Sequence, residues 1–362
     1  MIKKISKYKF AVIKVGSNVI TRNDGLPDLK IMKSLVGQIA AIMKQGTKVV
    51  LVSSGAVAYG RSLVKFSGKA DPVAERQQLA AVGQVKLLNS YADIFSKHEI
   101  NCAQVLVTKD DFRSRKHYLN MKNCMMNLLG NSIIPIVNEN DVISITELMF
   151  TDNDELSGLI AAMLGADTLL LLTSVDGLYN GKPGNPDAKL IPVVESSFKD
   201  FSFISQEKSN FGRGGMITKS RMAYDMAQMG INVHIANGKK DGVLIQVMNG
   251  EQVGTRFVAS KTASPVKRWI AHSEGFAKGK IVVNAGAVQA LLHTEKASSL
   301  LPIGIVKIEG HFEKGDTVRI ADESGKYLGV GISRYNSEKA QSRIGLKNQP
   351  PIIHYDYLFL NA

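Results

Sequence analysis

The chain has 362 residues, 44% hydrophobic and 21% charged, and carries a formal net charge of +13. Its length exceeds one typical domain and its apolar content suffices for a sizeable core, so two domains are expected. The only two cysteines, Cys102 and Cys124, lie in apolar segments without CxxC spacing, and no histidines stand as HxxxH, which argues against a disulfide scaffold and a structural zinc site and fits a reducing cytoplasm.

The chain opens with basic residues, Lys3, Lys4, Lys7 and Lys9, but no apolar stretch that would make a signal peptide. Phe10–Val15 then reads as a buried β-branched strand that runs into Gly16-Ser17, and Lys14 sits near its end. A helix over Asp28–Lys44 leads to a second strand, Lys48–Ser53, followed by Ser53-Ser54-Gly55-Ala56. That small-residue run reads either as a strand-to-helix turn with a cap, or as a pocket whose N–H and hydroxyl groups hold a carboxylate. A helix over Pro72–Lys97, a strand at Cys102–Val107, a helix over Lys116–Leu129 and a strand at Ile133–Val137 follow.

After that strand, Asn138-Glu139-Asn140-Asp141 puts four polar side chains into four positions. They form either a solvated turn or a site for an α-amino acid, in which a carboxylate such as Asp141 meets the ammonium group. Asp152-Asn153-Asp154 opens the next helix, Asp154–Leu164. Capping accounts for one aspartate and leaves the other to hold cationic groups in place. The strand Thr168–Leu172 ends in the turn Thr173–Tyr179, and the glycine-rich Gly212–Lys219 loop leads into a helix over Thr218–Met229 and a strand at Asn232–Ala236. Strands alternating with helices imply a mostly parallel open sheet sandwiched between helices, with ligands at the C-terminal strand ends where these polar clusters lie.

The pattern changes after Phe257. Residues 258–276 read as a small, polar linker, and 277–362 as a compact β-rich domain with turns such as Lys314-Gly315-Asp316. This tail holds eleven Lys/Arg against eight Asp/Glu, so the basic excess belongs mainly to residues 1–257. It reads as a generally basic surface or as one suited to acidic small molecules. The longest apolar runs fall well short of a membrane span, so a cytoplasmic protein is expected.

Two lysines beside glycine-rich backbone, Lys14 and Lys219, suit phosphoryl transfer, which needs positioned positive charge and N–H groups around crowded oxygens. No GxxxxGK[ST] or GxGxxG segment is present, so the phosphate cradle falls to Gly16-Ser17 and the loop before Lys219.

Taken together, Ile13–Ser17, Val52–Ala56, Gln78–Gln84, Ile136–Asp141, Asp152–Asp154, Leu171–Tyr179 and Gly214–Lys219 make the chain resemble the glutamate 5-kinase family of the amino acid kinase fold. Ser298–Gly304 and Gly331–Ser337 resemble the C-terminal PUA domain that many members carry. The resemblance implies ATP and Mg²⁺ as cofactors, the ion held through the ATP phosphates rather than by protein ligands. It implies L-glutamate as acceptor, with Lys14, Lys219 and Asp154 catalytic and Ser54, Asn138, Asp141 and Asn153 binding glutamate. ATP would meet Lys14, Thr173, Ser174, Arg213, Gly214, Gly215, Met216, Ile217, Thr218 and Lys219.

It further implies inhibition by proline, a homo-oligomer (dimer or tetramer) and a functional link to glutamyl-phosphate reductase. Two positions depart from the family pattern. Arg213 stands where a threonine is usual, adding a guanidinium near the phosphates, and Ser174 stands where an aspartate is usual. Two alternatives remain: a kinase of the same fold for aspartate, N-acetylglutamate, carbamate or UMP, and an RNA-binding protein, since PUA domains elsewhere serve RNA-modifying enzymes.

Overall fold

The computed structural model describes residues 6–65, 71–113, 115–143, 150, 152–181, 185–198, 215–260, 277–292 and 298–360. Most of the expected linker, 261–276, lies outside them, as do Arg213 and Gly214. The chain forms two compact units: Met1–Lys109 with Lys122–Thr262, and Asp110–Met121 with Ala263–Ala362.

The first unit is built on an eight-stranded sheet. Its strands are β1 (Phe10–Val15), β2 (Lys48–Ser53), β3 (Cys102–Val107), β4 (Ile134–Glu139), β5 (Thr168–Thr173), β6 (Val193–Val194), β7 (Asn232–Asn237) and β8 (Thr255–Phe257), in the order β3-β4-β2-β1-β5-β7-β8-β6. All pairings are parallel except β7 with β8. The central strands are apolar on both faces, as a sheet covered on both sides requires: Ala11, Val12 and Ile13 on β1 and Val49–Val52 on β2 are buried.

Among the described residues up to 257 the helices are α1 (Ser17–Ile20), α2 (Leu29–Lys44), α3 (Ala56–Leu63), α4 (Pro72–Ser96), α5 (Lys109–Arg113), α6 (Arg115–Gly130), α7 (Asn153–Leu164), α8 (Met216–Gln228) and α9 (Val243–Met248). Of these, α5 beyond its first residue and the first part of α6, up to Met121, belong to the second unit. In α2 the Asp28 side chain accepts from the Lys30 and Ile31 N–H groups. Met32, Leu35, Val36 and Ile39 then bury one face at helical spacing.

The longer elements lie where hydrophobic periodicity places them. The short ones, α1, α3, α5, α9, β6 and β8, carry too few residues for a period to register. The boundary that bears on the polar cluster moves: Asn138 and Glu139, placed beyond the strand by the sequence reading, are the last two residues of β4. Their polar side chains mask a strand whose pairing continues, with Leu106 opposite Asn138 and Val107 opposite Glu139.

The second unit holds a five-stranded sheet in the order β10-β9-β11-β12-β13, with β9 (Gly279–Val283), β10 (Ile305–Gly310), β11 (Thr317–Asp322), β12 (Tyr327–Ile332) and β13 (Leu358–Leu360). β9 and β11 pair parallel and the other neighbours antiparallel. Ile281, Phe312, Val318, Ile320, Leu328 and Ile353 form its core. No helix among the described residues is long and apolar enough to cross a membrane.

Candidate active site

Two lysines from distant parts of the first unit converge on one carboxylate. Lys14, on β1 and 7% exposed, places its Nζ 2.6 Å from Asp154 Oδ1, and Lys219 Nζ meets the other oxygen, Oδ2. Helix packing sets this meeting. A Cβ on Gly158 would lie 3.0 Å from Met222 Sδ, so α7 and α8 approach closely along that line. Asp154 is one turn before Gly158 and Lys219 nearly one turn before Met222, so the two side chains share one stretch of the contact.

Burial alone would raise the pKa of Asp154, but the Lys14 and Lys219 ammonium groups outweigh it and hold the carboxyl well below its ordinary range. Burial also lowers the pKa of Lys14, against the pull of Asp154. Asp152 plays a different part. Its Oδ1 accepts from the Asp154 and Glu155 N–H groups and so caps α7. Burial, with Asp154 nearby, raises its pKa.

Beside this triad lies a run of uncharged polar groups. Asn153 Nδ2 donates to Ser54 Oγ at 2.8 Å and to Asn138 Oδ1 at 3.0 Å, and Asn138 Nδ2 donates to Gln84 Oε1 at 2.8 Å. Ser54 follows β2, and its N–H donates to Val15 O. Gly55, at φ 108°, then turns the chain in the left-handed region into α3.

Helix α4 backs the run because α3 and α4 touch backbone to backbone. A Cβ on Gly83 would fall 1.8 Å from Ala56 O, and one on Gly60 2.1 Å from Leu79 O. That approach lets Gln84 reach Asn138, and Tyr91, two turns on, reach Ser53 Oγ at 2.9 Å. Asp141, two residues beyond β4, has Oδ1 held by Arg76 Nη2 at 2.9 Å, and Glu139 Oε1 accepts from the Phe150 N–H at 2.8 Å.

At the end of β5, Thr173 O accepts from the Gly238 N–H and Ser174 is exposed. Close by, Asp176 accepts from Asn237 Nδ2 at 2.9 Å and Lys240 Nζ at 2.7 Å. These two bonds, that from Lys240 foremost, lower its pKa. Gly215 caps α8 with its N–H on Thr218 Oγ1, and Met216 and Ile217 begin the helix that carries Lys219. On β1's side, Gly16 donates to Leu172 O. A Cβ there would approach that oxygen to 3.2 Å and Lys14 Nζ to 3.5 Å, which explains why glycine follows the strand.

The structure thus gathers Lys14, Lys219 and Asp154 at one point and Ser54, Asn138 and Asn153 in one bonded run. It sets Asp141 in an ion pair with Arg76, and Thr173 and Ser174 at the end of β5. The sequence gives no role to Gln84, Arg76, Tyr91, Asn237 or Lys240. Gln84 and Tyr91 lie inside a long helix, where one polar position among apolar ones carries no signal of what it faces. Among the described residues no cluster of His, Cys, Asp or Glu could hold a metal ion. Asp154 has both oxygens against ammonium groups, and Asp152 Oδ1 is taken up by the cap.

A model of the amino acid kinase family matches residues 9–237, and one of the PUA domain matches residues 279–349. The chain is 51% identical to glutamate 5-kinase from Chlorobaculum tepidum over 98% of both chains. It is 51% identical to glutamate 5-kinase from Bacteroides thetaiotaomicron over 96% of this chain and 97% of the relative. Among solved structures, carbamate kinase from Giardia lamblia bound to AMP-PNP aligns at a TM-score of 0.51. That alignment has 21% identity and covers 70% of this chain and 99% of that one, a likeness of fold.

Proposed function

The chain belongs to the amino acid kinase family, and within it to the glutamate 5-kinases, and from that premise we propose that it transfers the γ-phosphoryl group of ATP to the side-chain carboxylate of L-glutamate. The products are ADP and L-glutamyl 5-phosphate, the first step of proline biosynthesis. The observation that carries the reading is the shared carboxylate, with the ammonium groups of Lys14 and Lys219 on the two oxygens of a buried Asp154.

A carboxylate oxygen of glutamate attacks the γ-phosphorus and the bond to the β,γ-bridging oxygen breaks, its electron pair leaving with ADP. The attacking group is already ionised at neutral pH, so no base is required. The obstacle is repulsion between a carboxylate and a polyphosphate, and two fixed cations in a poorly hydrated cleft reduce it. Asp154 offsets the repulsion between the two lysines and directs them, so they need not reorganise as charge moves.

Ser54, Asn138 and Asn153 hold glutamate, and Asp141, with Oδ1 on Arg76, turns its other oxygen to the substrate ammonium. Thr173, Ser174 and residues 213–219 receive ATP, Arg213 and Gly214 lying outside the described residues. Mg²⁺ would be held mainly through the nucleotide phosphates and would offset part of their negative charge. The same reading takes proline as a competitor for the glutamate pocket and expects a homo-oligomer. It links the chain functionally to glutamyl-phosphate reductase, gives 1–257 the catalysis and 277–362 the PUA fold, and places the protein in the cytoplasm.

Trapping the acyl phosphate with hydroxylamine tests the activity. Hydroxamate should form with ATP and glutamate and fall as proline is added. ADP release with aspartate, carbamate or UMP but not with glutamate would overturn the substrate assignment.

A further inference from the structure

The sense of the amide run beside the lysines is set from outside the run. The backbone N–H of Glu139 donates to Asn138 Oδ1 at 2.9 Å, and a backbone amide N–H can only donate. Asn138 therefore turns its Oδ1 toward Glu139 and Asn153 and its Nδ2 toward Gln84, whose Oε1 must face it. Asn153 can then meet Asn138 Oδ1 only with its Nδ2, and that same Nδ2 also reaches Ser54 Oγ. Both amide protons of Asn153 are committed within the protein, leaving its Oδ1 as an acceptor. The Ser54 oxygen already accepts, so its hydroxyl proton is left to donate.

We propose that Gln84 is the positioning residue of the acceptor pocket. Without touching substrate, it holds Asn138, and through it Asn153 and Ser54, in the orientation that offers a hydroxyl donor to a carboxylate and an amide oxygen to an ammonium. That pattern selects a zwitterionic α-amino acid, and the proposal rests on the reading of this pocket as the glutamate site.

Gln84 and Asn138 are 9% and 3% exposed, so water is a poor substitute partner for either. With an apolar side chain at 84, Asn138 Nδ2 would be buried without an acceptor. Rotation of the amide gives no relief, because it would set Nδ2 against the Glu139 N–H and the Asn153 Nδ2, so the side chain keeps its sense but loses the tether that fixes its position. Asn153 and Ser54, which are placed through Asn138 Oδ1, would then shift with it and lose their fixed distance from the substrate groups. Gln84 can stand here because glycine precedes it: the contact of Gly83 with Ala56 O brings this turn of α4 against the strand ends.

The test uses the full-length protein with Gln84→Leu, Gln84→Met and Gln84→Glu, and Ser54→Ala to check the pocket itself. Loss of one buried hydrogen bond should raise the glutamate KM about tenfold in the Leu and Met variants. Their kcat and ATP KM should stay within about twofold, since the phosphoryl side is untouched. Gln84→Glu keeps an acceptor toward Asn138 Nδ2 and should hold the glutamate KM within about threefold of the unaltered protein.

An unchanged glutamate KM in Leu and Met overturns the proposal. So does a Glu variant as impaired as Leu, or a fall in kcat that tracks the rise in KM. Should Leu not fold, Met, unbranched and close to Gln in length, carries the comparison. Failure of both to fold would assign Gln84 to stability alone and overturn the proposal equally. If Ser54→Ala leaves the glutamate KM unchanged, the pocket reading falls and this inference with it. If Ser54→Ala raises it while the apolar variants at 84 do not, this inference alone falls.

Discussion

In the N-terminal unit the buried charged and amide side chains, Lys14, Asp154, Glu139, Asn138 and Gln84, gather at the ends of β1 and β4 and along the adjoining faces of α4 and α7. The C-terminal unit buries Thr317, Ser333 and Ser337, hydroxyl groups of which Ser333 bonds Tyr335 O and Ser337 bonds His311 Nδ1. Its charges pair on the surface, as where Glu309 meets both Lys280 and Lys307.

Burying charge is costly even when it is paired, and surface pairs contribute little. A unit that needed only to fold would be built like the second. The first carries buried charge where its strands end, whereas His234, buried within β7, carries none. Burial pushes the pKa of His234 down to about 3, and it stays neutral with its Nε2 on the Tyr8 hydroxyl.

The sharpest way to break this contrast is to remove the shared carboxylate. Asp154→Ala leaves the buried Lys14 ammonium facing the half-buried one of Lys219 without a counter-charge and should cost about 4 kcal/mol in denaturant unfolding, with activity lost. A cost no larger than that of a surface change would mean that water screens the lysines. Because the pKa of Asp154 is lowered in the fold, its ionised form stabilises the protein above the ordinary carboxylate range, and that contribution fades as pH falls through and below it. The stability difference between the unaltered protein and Asp154→Asn should therefore shrink between pH 7 and pH 3, roughly across the carboxylate titration; a growing difference would reverse the sign.

Next in size, Lys219→Ala should lower kcat by about 10²–10³ while moving the glutamate KM far less, as expected for charge stabilisation in the transition state. Equal effects on both would make Lys219 a binding group. In the second unit, Phe312→Ala empties a ring that lies 1% exposed against Gly279 and should cost about 3 kcal/mol. Its kcat should be unchanged at temperatures where the protein is folded. A fall in kcat would tie the second unit to catalysis and end the comparison.

The smallest change is Tyr91→Phe, which removes the hydroxyl on Ser53 Oγ and should cost about 1 kcal/mol with little kinetic effect. A large rise in glutamate KM would show that α4 supports the pocket through Tyr91 as well as Gln84.

Much of the fold is legible in the chain itself. Phe10–Val15, Lys48–Ser53 and Cys102–Val107 are strands over those limits, because continuous β-branched and apolar runs between turn residues suit a covered parallel sheet. The capping role of Asp152 is half legible: Asp152-Asn153-Asp154 shows that one aspartate caps, but not which. Asn138 and Glu139 fall outside the strand when read from sequence, since their polarity is satisfied by Gln84, Asn153 and Phe150 from other parts of the chain.

Sequence alone therefore determined the alternation of strands and helices, the β-rich second unit and the set of residue types suited to phosphoryl transfer, because those follow from local periodicity and composition. Tertiary structure decided which groups meet. Lys14 and Lys219 share Asp154 because Gly158 lets α7 and α8 close together, and Gln84 reaches Asn138 because Gly83 lets α4 rest on Ala56. Such meetings depend on distances between backbones far apart in the chain, and no local pattern encodes them.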